Sequence, residues 1–182
     1  MRVEHLAPEI FEAQHGNELQ NKVYAVYARK DGIKPKPLTT EFPKGQDTVI
    51  YIAAINNTGD LLGHMHIESG AQTFVNEVAD NAANQMVMVA SGFTVKKELS
   101  RTIKLEIQDI FWKYAWGLAG ILEHKEILVI LNDRSESFAK ATGYNFIPSE
   151  LEFNWNSKTL KEFKEDYPGY WVDNPKLWNV RQ

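Results

Sequence analysis

Two apolar runs with a helical repeat between them form the clearest pattern along the chain. Met86 to Ala90 reads MVMVA, and Glu126 to Leu131 reads EILVIL. Runs of this length with β-branched residues are typical of strands that are buried on both faces of a sheet. Between them, apolar residues recur at spacings of three and four, as on a helix with one buried face. The pattern predicts a strand, a long helix and a second strand at the centre of the fold, with Ile103, Ile107, Ile110, Phe111, Tyr114 and Leu118 as the helix's apolar residues.

Weaker patterns predict the remaining elements. Asn56 to Asp60 reads NNTGD between two strand-like runs, which is typical of a hairpin turn. Asp31 to Lys44 contains one glycine and three prolines and predicts a loop. Ser69 to Asn84 is mostly polar and predicts a loop or a short helix. We expect one or two helices within Pro8 to Tyr27, a helix at Arg134 to Thr142 and an aromatic surface strap near the C-terminus. Strands are expected at Met1 to Leu6, Thr48 to Ile55, Leu61 to Glu68, Tyr144 to Ile147 and Leu151 to Trp155. The last two strands would form a terminal hairpin.

Composition narrows the class of protein. With 182 residues and 43% apolar content, the chain can bury one substantial core and is short for two independent domains. Its 20 basic and 24 acidic residues are mixed, so the sequence predicts no nucleic-acid partner. The absence of cysteine excludes disulfides, a thiolate nucleophile and a thiolate metal site. The sequence shows neither a signal-peptide pattern nor a long apolar segment, so we expect a soluble, cytoplasmic protein that does not enter a membrane.

The junction between the first apolar run and the long helix is a candidate binding site. Lys96 to Thr102 leads into the helix, and the amide groups at a helix start commonly hold a phosphate or another anion. Gly92 lies inside the preceding strand and predicts either a β-bulge or a simple kink where the strand leaves the sheet.

The order of these elements resembles that of the GNAT superfamily of N-acyltransferases. Three stretches carry the resemblance in the right order: Asn57 to Gly63, Met86 to Leu118, and Leu131-Asn132 followed by Ser137 to Tyr144. The resemblance implies an α/β (α+β) fold with a central mixed sheet of about six to seven strands flanked by helices. This domain would span 1–156, and 157–182 would form a C-terminal helix and aromatic strap packed on the same domain.

The resemblance also implies a reaction. Acetyl-CoA or another acyl-CoA would give its acyl group to a small-molecule amine or a protein amino group. The sequence is also compatible with a homo-oligomer. Phe93, Thr94 and Val95 would pair with the pantetheine arm through their backbone. The pyrophosphate turn would consist of Leu99, Ser100, Arg101, Thr102 and Ile103, and Asn132 and Ser135 would lie near the thioester end or the cofactor's arm.

The sequence departs from the family pattern at two places. The expected pyrophosphate turn reads KKELSRTI and contains no glycine, and Ala139 stands where a tyrosine often serves as the general acid. These departures favour an alternative function, in which a catalytically inactive GNAT-like domain serves as a binding or structural protein. A phage or mobile-element origin would be unsurprising for such a domain.

An amine acceptor must lose a proton before it attacks, so an active enzyme needs a general base. Alternation along the strand Leu61 to Glu68 places His64, His66 and Glu68 on one face, and these are the candidates. The alternative interpretation is that they are polar residues on a half-solvated sheet face. Their spacing matches no common zinc site, so no metal is expected.

Overall fold

A seven-stranded mixed sheet organises the part of the chain that the structure describes. The computed structural model describes residues 1–15, 47–82, 84–131, 133–152, 154, 158, 161–162, 165 and 176–182. The strand order is β1-β2-β3-β4-β5-β7-β6, and every neighbouring pair is antiparallel except β4 with β5. The elements are β1 (Arg2–Leu6), α1 (Pro8–His15), β2 (Thr48–Ile55), β3 (Leu61–Gly70), α2 (Phe74–Val78), a 3-10 turn (Asp80–Ala82), β4 (Val87–Val95), α3 (Arg101–Ile121), β5 (Ile127–Leu131), α4 (Asp133–Lys140), β6 (Asn145–Pro148) and β7 (Lys176–Arg181).

The predicted central unit and mixed α/β fold class are confirmed. The long helix α3 begins at the N-cap residue Ser100, whose Oγ accepts a hydrogen bond from the Ile103 amide at 3.3 Å. Its buried stripe packs on one sheet face, where most side chains of β2, β3 and β4 are apolar. Ile103 belongs to the predicted stripe, but it is 39% exposed because it lies in the first turn, beyond the edge of the core. The core on this face includes Ile50, Ile52, Met65, Ile67, Met88, Ala90, Ile107, Phe111, Trp112 and Ala115.

Short helices cover the opposite face of the sheet. Phe11 of α1 packs on Tyr51 with ring centroids 4.5 Å apart, in a cluster with Ala53, Ile55 and Leu61. Val75 of α2 belongs to a second apolar cluster, which also contains Ala79, Ala82, Val89, Leu128 and Leu177. The middle strands are therefore buried on both faces, and the polar side chains of β3 lie between these two apolar clusters.

The predicted terminal hairpin is wrong. β6 pairs with β7 rather than with the segment after Pro148, and Leu151 and Glu152 lie outside any strand. β7 inserts between β6 and β5, so its residues are not a surface strap. The physical reason is that β5 is apolar on both faces and needs a strand on its second edge, which the alternation of KLWNVR supplies. The predicted loop at Asp31 to Lys44 and the helical pattern beyond His15 lie outside the described residues.

Of the two alternatives for Gly92, a β-bulge or a simple kink, the structure shows the bulge. Ser91 pairs with His66, whereas Thr94 pairs with His64, so β4 carries one extra residue between these pairs. Gly92 has a φ of +65°, a conformation that glycine adopts readily. The bulged strand lies very close to Gly63 of β3, where an added Cβ would be 2.8 Å from Cγ1 of Val95. Close packing therefore fixes the position of β4 beyond the bulge.

Candidate functional site

The strands β4 and β5 part immediately after they meet. They pair only through Val89 with Leu128 and through Ala90 with Val129. From Ser91 to Val95, β4 continues beside β3 alone, and the bulge at Gly92 increases its bend and twist. The edge of β4 that faces β5 is therefore not paired with β5 from Ser91 onward, and we call the space between the two strands beyond this point the opening. Half-buried apolar side chains of Phe93, Val95 and Leu131 lie on the two strands that border this opening.

The turn that follows β4 leads from this opening to the start of α3. The Lys96 amide donates to the carbonyl of Leu62 at 2.9 Å, and Lys104 Nζ donates to the carbonyl of Lys97 at 3.0 Å. Arg101 and Thr102 are exposed in the first helical turn, beside the capping residue Ser100. The turn thus offers an anion backbone amides and one exposed guanidinium group, although the Ser100 hydroxyl already bonds the Ile103 amide.

The polar residues of β3 form a buried network on the face opposite α3. His66 Nδ1 lies 3.0 Å from Ser91 Oγ, and His66 Nε2 lies 3.4 Å from Glu68 Oε1. The second carboxylate oxygen of Glu68 accepts a hydrogen bond from the Phe74 amide at 2.6 Å. His66 is 0% exposed and Glu68 is 1% exposed. The half-solvated interpretation is therefore wrong, because α1 and α2 cover this face of the sheet.

A network of this kind has a defined chemical capacity. Buried charged or polar groups are tolerated only when hydrogen bonds satisfy them, and the contacts of Glu68 meet this condition. A carboxylate 3.4 Å from Nε2 favours, by electrostatic attraction, the tautomer that carries its proton on Nε2 and leaves Nδ1 as the acceptor. Nδ1 of His66 would then accept a hydrogen bond from the hydroxyl of Ser91. The network can hold and move a proton along this line.

The structure brings only two of the three predicted base residues together. His64 contacts the ring of Phe11 at a centroid distance of 5.2 Å and lies across from Thr94, beyond the bulge. Tyr51 sits between the histidines, 5.3 Å from the His66 ring and 6.1 Å from the His64 ring. His64 is therefore part of an aromatic group, and His66 with Glu68 forms the polar pair.

The residues predicted to contact CoA lie on two connected segments. Phe93, Thr94 and Val95 end β4 beyond the bulge, and the five residues from Leu99 to Ile103 form the turn and the first turn of α3. Ser135 lies in α4, where only its backbone is described, and Asn132 lies outside the described residues. Ala139 is buried in α4, at the position where a tyrosine was expected. The described residues contain no cluster of histidine, aspartate or glutamate that could hold a metal ion, and their helices include none suited to span a membrane.

Sequence reasoning missed four polar residues near the sheet. Ser91 stands within an apolar strand, and its only local signal is the neighbouring Gly92, which marks the bulge. On the α3 face, Ser69 Oγ lies 2.8 Å from Nε2 of His124, and burial lowers the pKa of His124. Gln108 of α3 is 5% exposed, and its Oε1 has no hydrogen-bond partner among the described residues.

The fold is similar to that of several proteins of known structure. MesI, a CoA-dependent acyl-homoserine lactone synthase, matches with a TM-score of 0.54 and 12% sequence identity over 99% of this chain and 88% of MesI. TofI, solved with an inhibitor and MTA, matches with a TM-score of 0.49 and 10% identity over 100% of this chain and 91% of TofI. FeeM, an N-acyl amino acid synthase from uncultured soil microbes, matches with a TM-score of 0.48 and 12% identity over 99% of this chain and 94% of FeeM. No protein-family model matches, and no curated protein is similar in sequence. The match to MesI confirms the GNAT fold that the sequence resemblance implies.

Proposed function

We propose that this GNAT-fold chain is an N-acyltransferase that moves an acyl group from acyl-CoA to an amine. The observation that carries the proposal is the parting of β4 and β5 beside the start of α3. Beyond Ser91, the edge of β4 that faces β5 presents backbone donors and acceptors to an extended ligand. The pantetheine arm contains amide groups that could hydrogen-bond to this edge as an added strand would. The helix start lies at the end of the same strand, where the pyrophosphate would follow.

The residues of the turn fit the diphosphate in an unusual way. Because the turn has no glycine, the backbone cannot approach the phosphates as closely as a glycine-rich turn allows. Arg101 is exposed in the first turn of α3 and supplies a charge-assisted contact instead. Lys96 and Lys97, on the same turn, add positive charge to this end of the opening.

The proposed base is His66, oriented by Glu68. The Glu68 carboxylate lies 3.4 Å from Nε2 of the ring, an ion-pair distance, and Nδ1 lies 3.0 Å from Ser91 Oγ at the vertex of the opening. The acceptor is a small-molecule amine or a protein amino group. MesI is a CoA-dependent synthase, so acyl-CoA is the donor to test first.

Isothermal titration with acetyl-CoA and with free CoA tests the proposal. We expect saturable binding that weakens about tenfold in Arg101→Ala, since one charge-assisted phosphate contact is lost. Lys125→Ala is the matched control, because Lys125 is an exposed cation beyond the other end of α3. A full-length protein that shows neither heat nor a melting shift with millimolar CoA would rule out the transferase.

A second function is favoured by one observation. The Ser100 hydroxyl already bonds the Ile103 amide, one of the groups that an anion at this helix start would use. A GNAT-like domain that does not bind CoA and serves as a binding or structural protein would have this arrangement. The same titration separates the two functions, because only the transferase requires CoA to bind.

A further inference from the structure

Three side chains on β3 and β4 are arranged in the order hydroxyl, imidazole, carboxylate. Ser91 Oγ lies 3.0 Å from His66 Nδ1, and His66 Nε2 lies 3.4 Å from Glu68 Oε1. The Phe74 amide holds the other oxygen of Glu68 at 2.6 Å. A nucleophile next to a base, with a third group that orients the base, is the arrangement that activates a serine hydroxyl.

The three residues differ in exposure in the way this role requires. His66 and Glu68 are completely buried, whereas Ser91 is half-buried. Ser91 is therefore the most exposed of the three residues, and it is the one through which we expect a substrate to reach the network. The water-poor surroundings of the imidazole and carboxylate also strengthen the interactions between them.

The position of Ser91 along the strand matches the opening between β4 and β5. Ala90 is the last residue of β4 that pairs with β5, and Ser91 is the next residue along the chain. The bulge at Gly92 follows at once, and the Thr94 hydroxyl donates to the carbonyl of Gly92 at 3.1 Å. Ser91 thus stands at the vertex of the opening on a backbone that is held in place.

We propose that Ser91 is an acylated nucleophile. The proposal rests on the proposed function for the identity of the donor, an acyl thioester. Ser91 Oγ forms a bond to the thioester carbonyl carbon while His66 Nδ1 accepts the hydroxyl proton. The carbon–sulfur bond breaks, and the thiol of CoA leaves with that proton. The acceptor amine then attacks the ester, the bond to Oγ breaks, and Ser91 recovers a proton that the amine releases through His66.

A thiol at position 91 tests the activation without any knowledge of the substrate. The chain has no cysteine, so Ser91→Cys introduces a single thiol whose alkylation by iodoacetamide is measured against pH. We expect its reaction to persist to lower pH than that of a free cysteine, because His66 stabilises the thiolate. In Ser91→Cys with His66→Gln the profile should return to that of an ordinary thiol.

Ser69→Cys is the matched control. Ser69 also contacts a histidine ring, at 2.8 Å, but it is 4% exposed and lies on the other face of β3. Its thiol should react only when the protein unfolds. The proposal is wrong if the thiol at position 91 reacts no faster than that at position 69. It is also wrong if His66→Gln does not change the pH dependence of alkylation at position 91. Thermal melts of each variant confirm that the protein remains folded.

Acylation itself is measured with acetyl-CoA in the absence of an acceptor. We expect one equivalent of CoA thiol to appear in a rapid burst and the intact protein to gain the mass of one acetyl group. Ser91→Ala should abolish both signals, and Ser69→Ala should retain them. Acetyl-CoA that binds by titration without any adduct would overturn the nucleophile and leave the transferase intact.

An activated ester separates failure of the inference from failure of the proposed function. p-Nitrophenyl acetate carries the same acyl group without CoA, so it can acylate Ser91 even where CoA does not bind. An adduct on Ser91 from this ester, with no CoA binding, would support the nucleophile and reject acyl-CoA as donor. Absence of an adduct from both reagents would overturn the nucleophile.

Discussion

The two faces of β3 hold their polar side chains in different ways. On the face under α1 and α2, Ser91, His66 and Glu68 form a connected line that ends on the Phe74 amide. On the face under α3, Ser69 pairs with His124, and no carboxylate follows the histidine among the described contacts. Gln108 lies on that same face.

The contrast shows why a serine and histidine pair alone does not indicate catalysis. The pair at Ser69 lies at the end of the sheet and is nearly closed to solvent, so a substrate cannot reach its hydroxyl. The pair at Ser91 has a third member that orients the histidine, and it stands where two strands part. Orientation and access, rather than residue type, distinguish the two faces.

The largest expected effect comes from removal of the negative charge in the network. Glu68→Gln preserves the size of the side chain, but the neutral glutamine cannot stabilise the imidazolium that forms when His66 accepts a proton. We expect the rate of the CoA thiol burst to fall about 10²- to 10⁴-fold, the usual contribution of acid–base catalysis. Stopped-flow detection of the released thiol measures this rate.

His124→Gln is the control for that prediction. It removes the histidine of the other pair and should leave the burst rate unchanged. If Glu68→Gln folds normally and keeps the wild-type burst rate, the carboxylate has a purely structural role and the two faces do not differ in chemistry.

A smaller effect is expected from the isolated amide on the α3 face. Gln108 Oε1 has no hydrogen-bond partner in the described part of the chain, so its desolvation is not offset. Gln108→Met keeps the length of the side chain and removes the amide. We expect the free energy of unfolding to rise by about 1–2 kcal/mol, measured by urea denaturation.

Gln108→Glu is the companion variant, and it should be less stable than the wild type because it buries a charge at the same place. A loss of stability in Gln108→Met would show that the amide is hydrogen-bonded in the folded protein. The α3 face of the sheet would then resemble the opposite face, which carries Ser91, His66 and Glu68 and which we call the network face, more closely than the contacts indicate.

The sequence predicts the elements whose patterns are local. The apolar runs and the helical repeat locate β4, α3 and β5. Gly92 marks the place of the irregularity in β4, but the sequence alone does not distinguish a bulge from a simple kink. The terminal strands show the limit of this reasoning. A pattern of alternation predicts a strand but not its partner, and β6 pairs with a strand from the last residues of the chain.

The site shows the same limit. Alternation placed His66 and Glu68 on one face correctly, but it could not show that α1 and α2 cover that face. Ser91 lies in an apolar strand, where a serine resembles a small space-filling residue. Its role follows only from the register that sets it opposite His66, a contact across 25 positions of the chain.

The smallest expected effect is a pH dependence that belongs to the pair at Ser69. Burial lowers the pKa of His124 below its ordinary value of 6.5, so the unfolded chain binds more protons than the folded one as the pH falls through that value. Stability therefore decreases on acidification in the window between 6.5 and the lower pKa of the folded state. His124→Gln removes this contribution, and its melting temperature should fall less than that of the wild type between about pH 7.5 and pH 5. Equal slopes in the two proteins would mean that water reaches the ring freely and that the α3 face is less closed than the network face. A shallower slope in the variant would confirm that the pKa of His124 is lowered in the folded protein, as expected for a half-buried ring beside a serine hydroxyl rather than a carboxylate.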